Sequence, residues 1–388
     1  MTSRQTNIRL TSVTIDPASG LVRQSPRPAD LRNAGYAAAF DHDTLFYDCY
    51  RVGAHIVLQG PPLLNLIAPL LASAPISTHW RRWIGRPRLI SRDKRGELWL
   101  RSPDDTLTIT GPAGTYPLSI GPNLSQLYAG RRVLLTLSKD NAPRWIRDWV
   151  EFYRAEHGAD GVLIYDNAST AYSAAWLQDQ LRIAFPDMVI HVVSWPFRYG
   201  PQGGMAGAVD GREAPWDSDF CQAGSFQHAR LRLLRAARSV LNVDIDELVL
   251  GPHGASIFAH TERSHSGFIK FAGSWISSAS PRAISPQTCR HADFTHRDTA
   301  ETRTCPPKWC LVPGRDHPYR ASWSVHNLFG SRHNRRIDPH FSYRHMTAIS
   351  TSWKEDRAIA EGFDPRRFAE DTALADSFAR AGLQPDAG

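Results

Sequence analysis

Ser239-Val-Leu-Asn-Val-Asp-Ile-Asp-Glu-Leu-Val-Leu250 is a buried-strand pattern that runs straight into Asp244 and Asp246, with Glu247 behind them, and then resumes as Leu248, Val249 and Leu250. Carboxylates are costly beside an apolar sheet unless a metal or a cationic partner compensates them. Two of them at the end of a core strand therefore suggest a divalent-cation site, and hard oxygen donors suit Mg²⁺ or Mn²⁺. The chain holds two other Asp-x-Asp triplets, Asp41-His42-Asp43 and Asp217-Ser218-Asp219. Their polar or Pro-flanked surroundings read as surface loops, so only the third triplet is framed by strand residues on both sides.

Working back from that strand, the rhythm from Gly130 alternates strands and helices. Residues 133–137 form a continuous apolar run, as in a strand buried on both faces. Asp140 or Asn141 can cap a helix with Pro143 in its first turn; Trp145, Trp149 and Phe152 recur at helical spacing, and Gly158 ends the element. Gly161-Val-Leu-Ile-Tyr165 reads as a second strand terminating at Asp166-Asn167. Ser169 or Thr170 then opens a helix through Leu181, and 188–194 is a third strand. A further helix over about 226–238 carries Leu231 and Leu234 on one side and arginines on the other. This succession predicts an α/β fold with a mainly parallel sheet flanked by helices. Ligands of such sheets bind outside the carboxyl ends of the strands, where Asp166 and Asp244 would converge.

Residues 1–35 read as a partly ordered lead-in, 36–128 as a small β-rich domain, and 358–388 as a helical or flexible tail. The composition, 42% hydrophobic and 21% charged over 388 residues, is that of a soluble globular protein. No apolar run is long enough for a transmembrane helix, and the N-terminus lacks an apolar core of the secretory type. Five scattered cysteines without a Cys-x-x-Cys pair fit reduced thiols in a cytoplasmic protein, with a Cys305–Cys310 bridge as the alternative. The formal charge of +7 can attract anionic lipid or phosphorylated small molecules, giving an expectation of peripheral contact with an anionic inner membrane face. Aromatic-interleaved basic runs of the nucleic-acid-binding type are absent. The densest basic stretch is 315–357. There is no Gly-x-Gly-x-x-Gly after the first strand, no P-loop, no Gly-x-Ser-x-Gly and no His-Glu-x-x-His. The Gly-rich segment 200–207 reads as a mobile loop.

The ordered set Leu137-Ser-Lys-Asp-Asn141, Trp145-Ile-Arg-Asp-Trp149, His157-Gly-Ala-Asp-Gly161, Ile164-Tyr-Asp-Asn-Ala-Ser169, Gln227-His228, Val243-Asp-Ile-Asp-Glu-Leu248, Lys308-Trp-Cys-Leu-Val-Pro313, His326 and Tyr343-Arg-His345 resembles glycosyltransferase family 92 and its GT-A-fold relatives. The resemblance spans roughly residues 130–357. It implies a GT-A-like (Rossmann-like) domain over 129–357. It also implies transfer of a hexose, with inversion, from a nucleotide donor such as a UDP-sugar to a glycan acceptor, in polysaccharide or glycoconjugate biosynthesis. Carried onto this chain, Asp244 and Asp246 would hold Mn²⁺ or Mg²⁺, with His326 as third ligand. Asp166 would contact the donor's base or ribose, and Asn167 would shape that turn. Lys308 or Arg315 would meet the diphosphate. Trp275 offers an aromatic face to a sugar ring, with core packing as the other reading. Relatives often carry Asn-Glu after the first strand where this chain has Lys139-Asp140-Asn141. The general base is unassigned among Asp293, Asp316 and Glu301, and Glu247 reads as a supporting residue. Two other classes stay open: a non-catalytic glycan- or nucleotide-binding protein on the same fold, and a metal-dependent phosphodiesterase.

Overall fold

The computed structural model describes residues 7–80, 86–92, 94–201, 207–209, 212–214, 217–315, 321–351 and 362–385. Asp316 and most of the Gly-rich 200–207 segment lie outside them. The chain divides into two compact units. One takes residues 126–194 and the described residues from 236 onward; the other takes the described residues of 7–125 together with those of 195–235.

The first unit is built on an eight-stranded sheet. Its strands are β1 (Arg132–Ser138), β2 (Gly161–Asp166), β3 (Val189–Ser194), β4 (Ser239–Asn242), β5 (Glu247–Leu250), β6 (Phe268–Ile276), β7 (Cys305–Leu311) and β8 (Ser342–Met346). The spatial order is β3-β2-β1-β4-β7-β6-β8-β5. The block β3-β2-β1-β4 is parallel throughout. Beyond it β7 runs antiparallel to both neighbours, β6 and β8 are parallel, and β5 is antiparallel to β8. The architecture is thus mixed α/β, and the mainly parallel sheet expected from the strand–helix rhythm holds only where crossover helices connect the strands. After β4 the connections change, and direction changes with them.

Helix α1 (Pro143–His157) starts with Pro at its first position and ends on Gly158 at φ +68°, a left-handed conformation glycine adopts without strain. Its inner stripe buries Ile146, Trp149, Val150, Phe152 and Tyr153 against the sheet. The same helix finishes the backbone of the edge strand β5. The Tyr153 hydroxyl donates to the Glu247 carbonyl at 2.9 Å and accepts from the Val249 amide at 3.0 Å. His157 Nε2 donates to the Val249 carbonyl at 2.7 Å, and its Nδ1 accepts from the Ile257 amide. An edge strand's unpaired groups are thereby satisfied from one helix. Helix α2 (Ala174–Ala184) starts at Ser173, whose hydroxyl caps Trp176, rather than at Ser169 or Thr170. Helix α3 (Ile257–Arg263) leads into β6, and α4 (Thr372–Arg380) closes the unit.

The second unit contains a four-stranded antiparallel sheet, ordered Asp48–Val52, His55–Gly60, Arg95–Arg101, Arg88–Arg92, and a hairpin of Thr106–Gly111 with Gly114–Ser119. Its longest described helix, Phe220–His228, is buried on every side and continues as a π-type turn over Ala229–Leu233. This replaces the amphipathic helix expected over 226–238. Arg230 and Arg232 are buried rather than solvated, because each is matched by a buried acceptor. Arg232 reaches Asp48 at 2.6 Å, and the same carboxylate accepts from His228 at 2.9 Å. The two polar Asp-x-Asp triplets also depart from the surface-loop reading: Asp41 is buried with Arg23, and Asp217 accepts a two-pronged bond from buried Arg27 at 2.7 Å per contact. Among the described residues no helix is long and apolar enough to cross a membrane.

Candidate functional site: a carboxylate rim at the strand ends

Strand direction decides which side chains meet. β1, β2, β3 and β4 all end at one edge of the sheet, and β6 and β8 end there too. The antiparallel strands β5 and β7 begin at that edge. Asp166 is the last residue of β2 and pairs in register with Ser138 at the end of β1. Asp244 follows the end of β4, which is β1's other neighbour. Two strand spacings, roughly 10 Å, therefore separate the Asp166 and Asp244 positions along one rim. Glu247, Lys308, Trp275 and His345 belong to the same rim through their strands.

At the β1–β2 end two turns lock together. Asp166 is nearly buried; its Oδ1 accepts from Ser169 Oγ at 2.5 Å and its Oδ2 from the Ser169 amide. Burial raises its pKa, and those two bonds only partly offset the rise. Ser169 Oγ also accepts from the Asp140 amide, while Asp140 Oδ1 accepts from the amides of Thr170 and Ala171. So Asp140 caps the turn after β2 instead of helix α1. The Asn167 amide donates to the Ser138 carbonyl at 2.8 Å. Asp140 at φ +52° and Ala168 at φ +56° are two of the four non-glycine residues with positive φ among the described residues. Such strain persists where the surroundings over-determine it, and functional turns are where it concentrates.

At the β4–β5 end every carboxylate has a basic partner. Lys308, on β7 and almost wholly buried, places Nζ 2.6 Å from Asp244 Oδ2 and 2.9 Å from Glu247 Oε2. The Asp244 amide also donates to Glu247 Oε2 at 2.8 Å. Burial pushes the Glu247 carboxyl up to about 7 against the pull of Lys308, while the two carboxylates raise the ammonium above its usual value despite its burial. Asp246 Oδ2 accepts from His345 Nε2 at 3.0 Å. Burial would lower that imidazole, but the Asp246 charge outweighs it and the ring rises to about 10. The Trp275 ring stacks on His345 at 4.2 Å, and the Arg303 guanidinium also lies over it. Trp275 is thus already engaged with two cationic groups.

Among the residues expected from the sequence, the rim gathers Asp166, Asn167, Asp244, Asp246, Lys308 and Trp275. Lys308 faces the acidic turn rather than an open phosphate site. Arg315 lies elsewhere: it follows β7, which ends beside the start of β6, and its Nη1 donates to Ser264 at the opposite edge of the sheet. Asp293 is buried and held by the Arg290 amide and Arg282, and Glu301 is clamped by Arg303 with its pKa lowered. The sequence reading gave His345 and Glu247 no catalytic or ligand role; the alternation of Tyr343 and His345 on one face of a strand was the available signal.

The donor set suits a hard divalent cation in kind, with two partly exposed carboxylates on one short turn. His326 Nδ1 donates to the Pro307 carbonyl at 3.1 Å, which fixes the orientation of the ring. Among the described residues, however, no three His, Cys, Asp or Glu side chains already form a coordination shell. A cation would enter by drawing on carboxylates that Lys308 and His345 now hold. All five cysteines are free and buried, and Cys305 and Cys310 cannot pair because five positions along β7 place them on opposite faces. No protein-family model and no curated protein matches the chain.

Proposed function

We propose that the chain is a glycosyltransferase with a GT-A-like domain, moving a hexose from a nucleoside-diphosphate donor, a UDP-sugar in the first instance, to a glycan acceptor. The observation that carries this reading is the placement of Asp166 and of Asp244-Ile-Asp246 on one carboxyl rim, two strands apart. Asp166 and Asn167, held by Ser169 and Ser138, provide a fixed acceptor and turn for the donor's ribose and base. Asp244 and Asp246, with His326, would hold Mn²⁺ or Mg²⁺. Bound there, the cation would neutralise charge building up on the departing diphosphate. Lys308 and His345 orient the two carboxylates through ion pairs at 2.6 and 3.0 Å, as supporting groups do at metal sites.

Calorimetric titration with UDP in the presence of Mn²⁺, followed by a donor panel read by nucleotide release, tests the reading. Cation-dependent UDP binding that disappears in Asp246→Asn is expected. Absence of both nucleotide binding and donor turnover would sink it. One observation favours a second reading: the acidic turn is already neutralised by Lys308 and His345. A non-catalytic nucleotide- or glycan-binding protein would therefore bind without a cation and turn nothing over.

A further inference from the structure

At the sheet edge opposite the carboxylate rim, the segment 327–337 forms a basic surface with an unusual apolar content. Asn334 Nδ2 and Oδ1 bond both backbone groups of Leu328, and Lys270 reaches Asn327 and the Asn334 carbonyl. The short pairing of Ser322–Trp323 with Leu328–Phe329 rests on Trp323, buried against Trp309. This anchored loop leaves Phe329 at 49% and Ile337 at 44% exposure, two of the five large hydrophobic side chains exposed among the described residues. Between them stand Arg332, Arg335 and Arg336, all exposed. The one acid described from 321 to 345, Asp338, is committed to His260 at 3.0 Å. Beside the loop a hollow of about 350 Å³ is lined by Arg315, Arg332, His333, Ser266 and Ser331.

We infer that this face docks the protein on an anionic lipid bilayer, with Phe329 and Ile337 entering the interface and the arginines and the hollow receiving lipid phosphates. Exposed arginine clusters alone would suit any polyanion. Two large apolar side chains flanking them favour a surface with a hydrocarbon layer beneath its phosphates. The inference is independent of the proposed transfer reaction, since none of its residues belongs to the carboxylate rim.

The test is co-sedimentation of the full chain with vesicles of phosphatidylcholine alone and of phosphatidylcholine with phosphatidylglycerol. Binding to the anionic vesicles only, weakening with salt, is expected. The triple variant Arg332→Glu/Arg335→Glu/Arg336→Glu should bind about 100-fold more weakly or worse. Phe329→Ser/Ile337→Ser should also lose vesicle binding while keeping retention on a heparin column, with unchanged thermal melting in both variants. No vesicle binding by the wild type, equal binding to neutral vesicles, or an undiminished triple variant would each overturn the inference. So would an apolar variant that binds vesicles as well as wild type, which would mark the face as a general polyanion site.

Discussion

Lys308 Nζ lies 2.6 Å from Asp244 Oδ2, so the acidic turn after β4 carries its own counter-charge, delivered by the antiparallel strand β7. The same ammonium reaches Glu247 at 2.9 Å, making one cation common to two carboxylates. Removing one partner of a buried pair leaves the others uncompensated, which costs more than the pair's net worth. Lys308→Met should therefore destabilise the protein by about 3–5 kcal/mol in urea unfolding. Adding Glu247→Gln should recover part of that loss, and strictly additive effects would refute the shared-charge arrangement.

His345 gives a pH signature. Its ring rises to about 10 from the free value of 6.5 through Asp246. A cation whose folded pKa is raised stabilises fully below the unfolded value and loses that contribution as pH rises through the folded one. Wild-type stability should thus fall between pH 6.5 and about 10 relative to Asp246→Asn. The difference should be a few kcal/mol, since each tenfold gain in proton affinity is worth about 1.4 kcal/mol. Guanidinium unfolding of both proteins across that range checks it; parallel pH profiles would contradict it.

Gly273 is required by a close approach. A Cβ there would meet the Tyr343 ring at 2.3 Å, because that ring crosses the glycine to donate its hydroxyl to the Pro306 carbonyl at 2.6 Å. Gly273→Ala should cost about 1–3 kcal/mol, the range for overpacking. In a Tyr343→Val background, where the obstructing ring is gone, the same substitution should cost much less. Thermal melts of the four proteins decide the point.

In the second unit Asp48 anchors His228 and Arg232, all three buried. Burial raises its pKa, but the hydrogen bond and charge of His228 and the charge of Arg232 overcome this and hold it below the usual 3.8. Its contribution is present above that value and lost as pH falls through the lower, folded one. Asp48→Ala should destabilise by about 3–5 kcal/mol at neutral pH, with Asp48→Asn milder because it keeps the shape and one acceptor. Circular dichroism melts would show the ranking; equal melting of Asp48→Ala and wild type would exclude it.

How much of this could be read beforehand follows from what is local. The runs 133–137 and 161–165 announce buried strands by their apolar character, and Pro143 and Gly158 bracket α1 by backbone chemistry that needs no tertiary partner. Asp41, Asp217 and Arg232 look like solvated residues in sequence because the partners that allow their burial are remote, as Arg23 is for Asp41 and Asp48 for Arg232. The direction of β7 was illegible for the same reason: the strand sequence Cys305–Leu311 has no marker of orientation.

The sequence alone determined that carboxylates would end core strands, since hydrophobic periodicity is written residue by residue and stops where Asp166 and Asp244 begin. Only the tertiary structure decided what those carboxylates face. Strand order brought Lys308 and His345 to the acidic turn and sent Arg315 to the other edge. Pairing energies between distant segments depend on which strands become neighbours, and that choice is made by packing of the whole sheet rather than by any one segment.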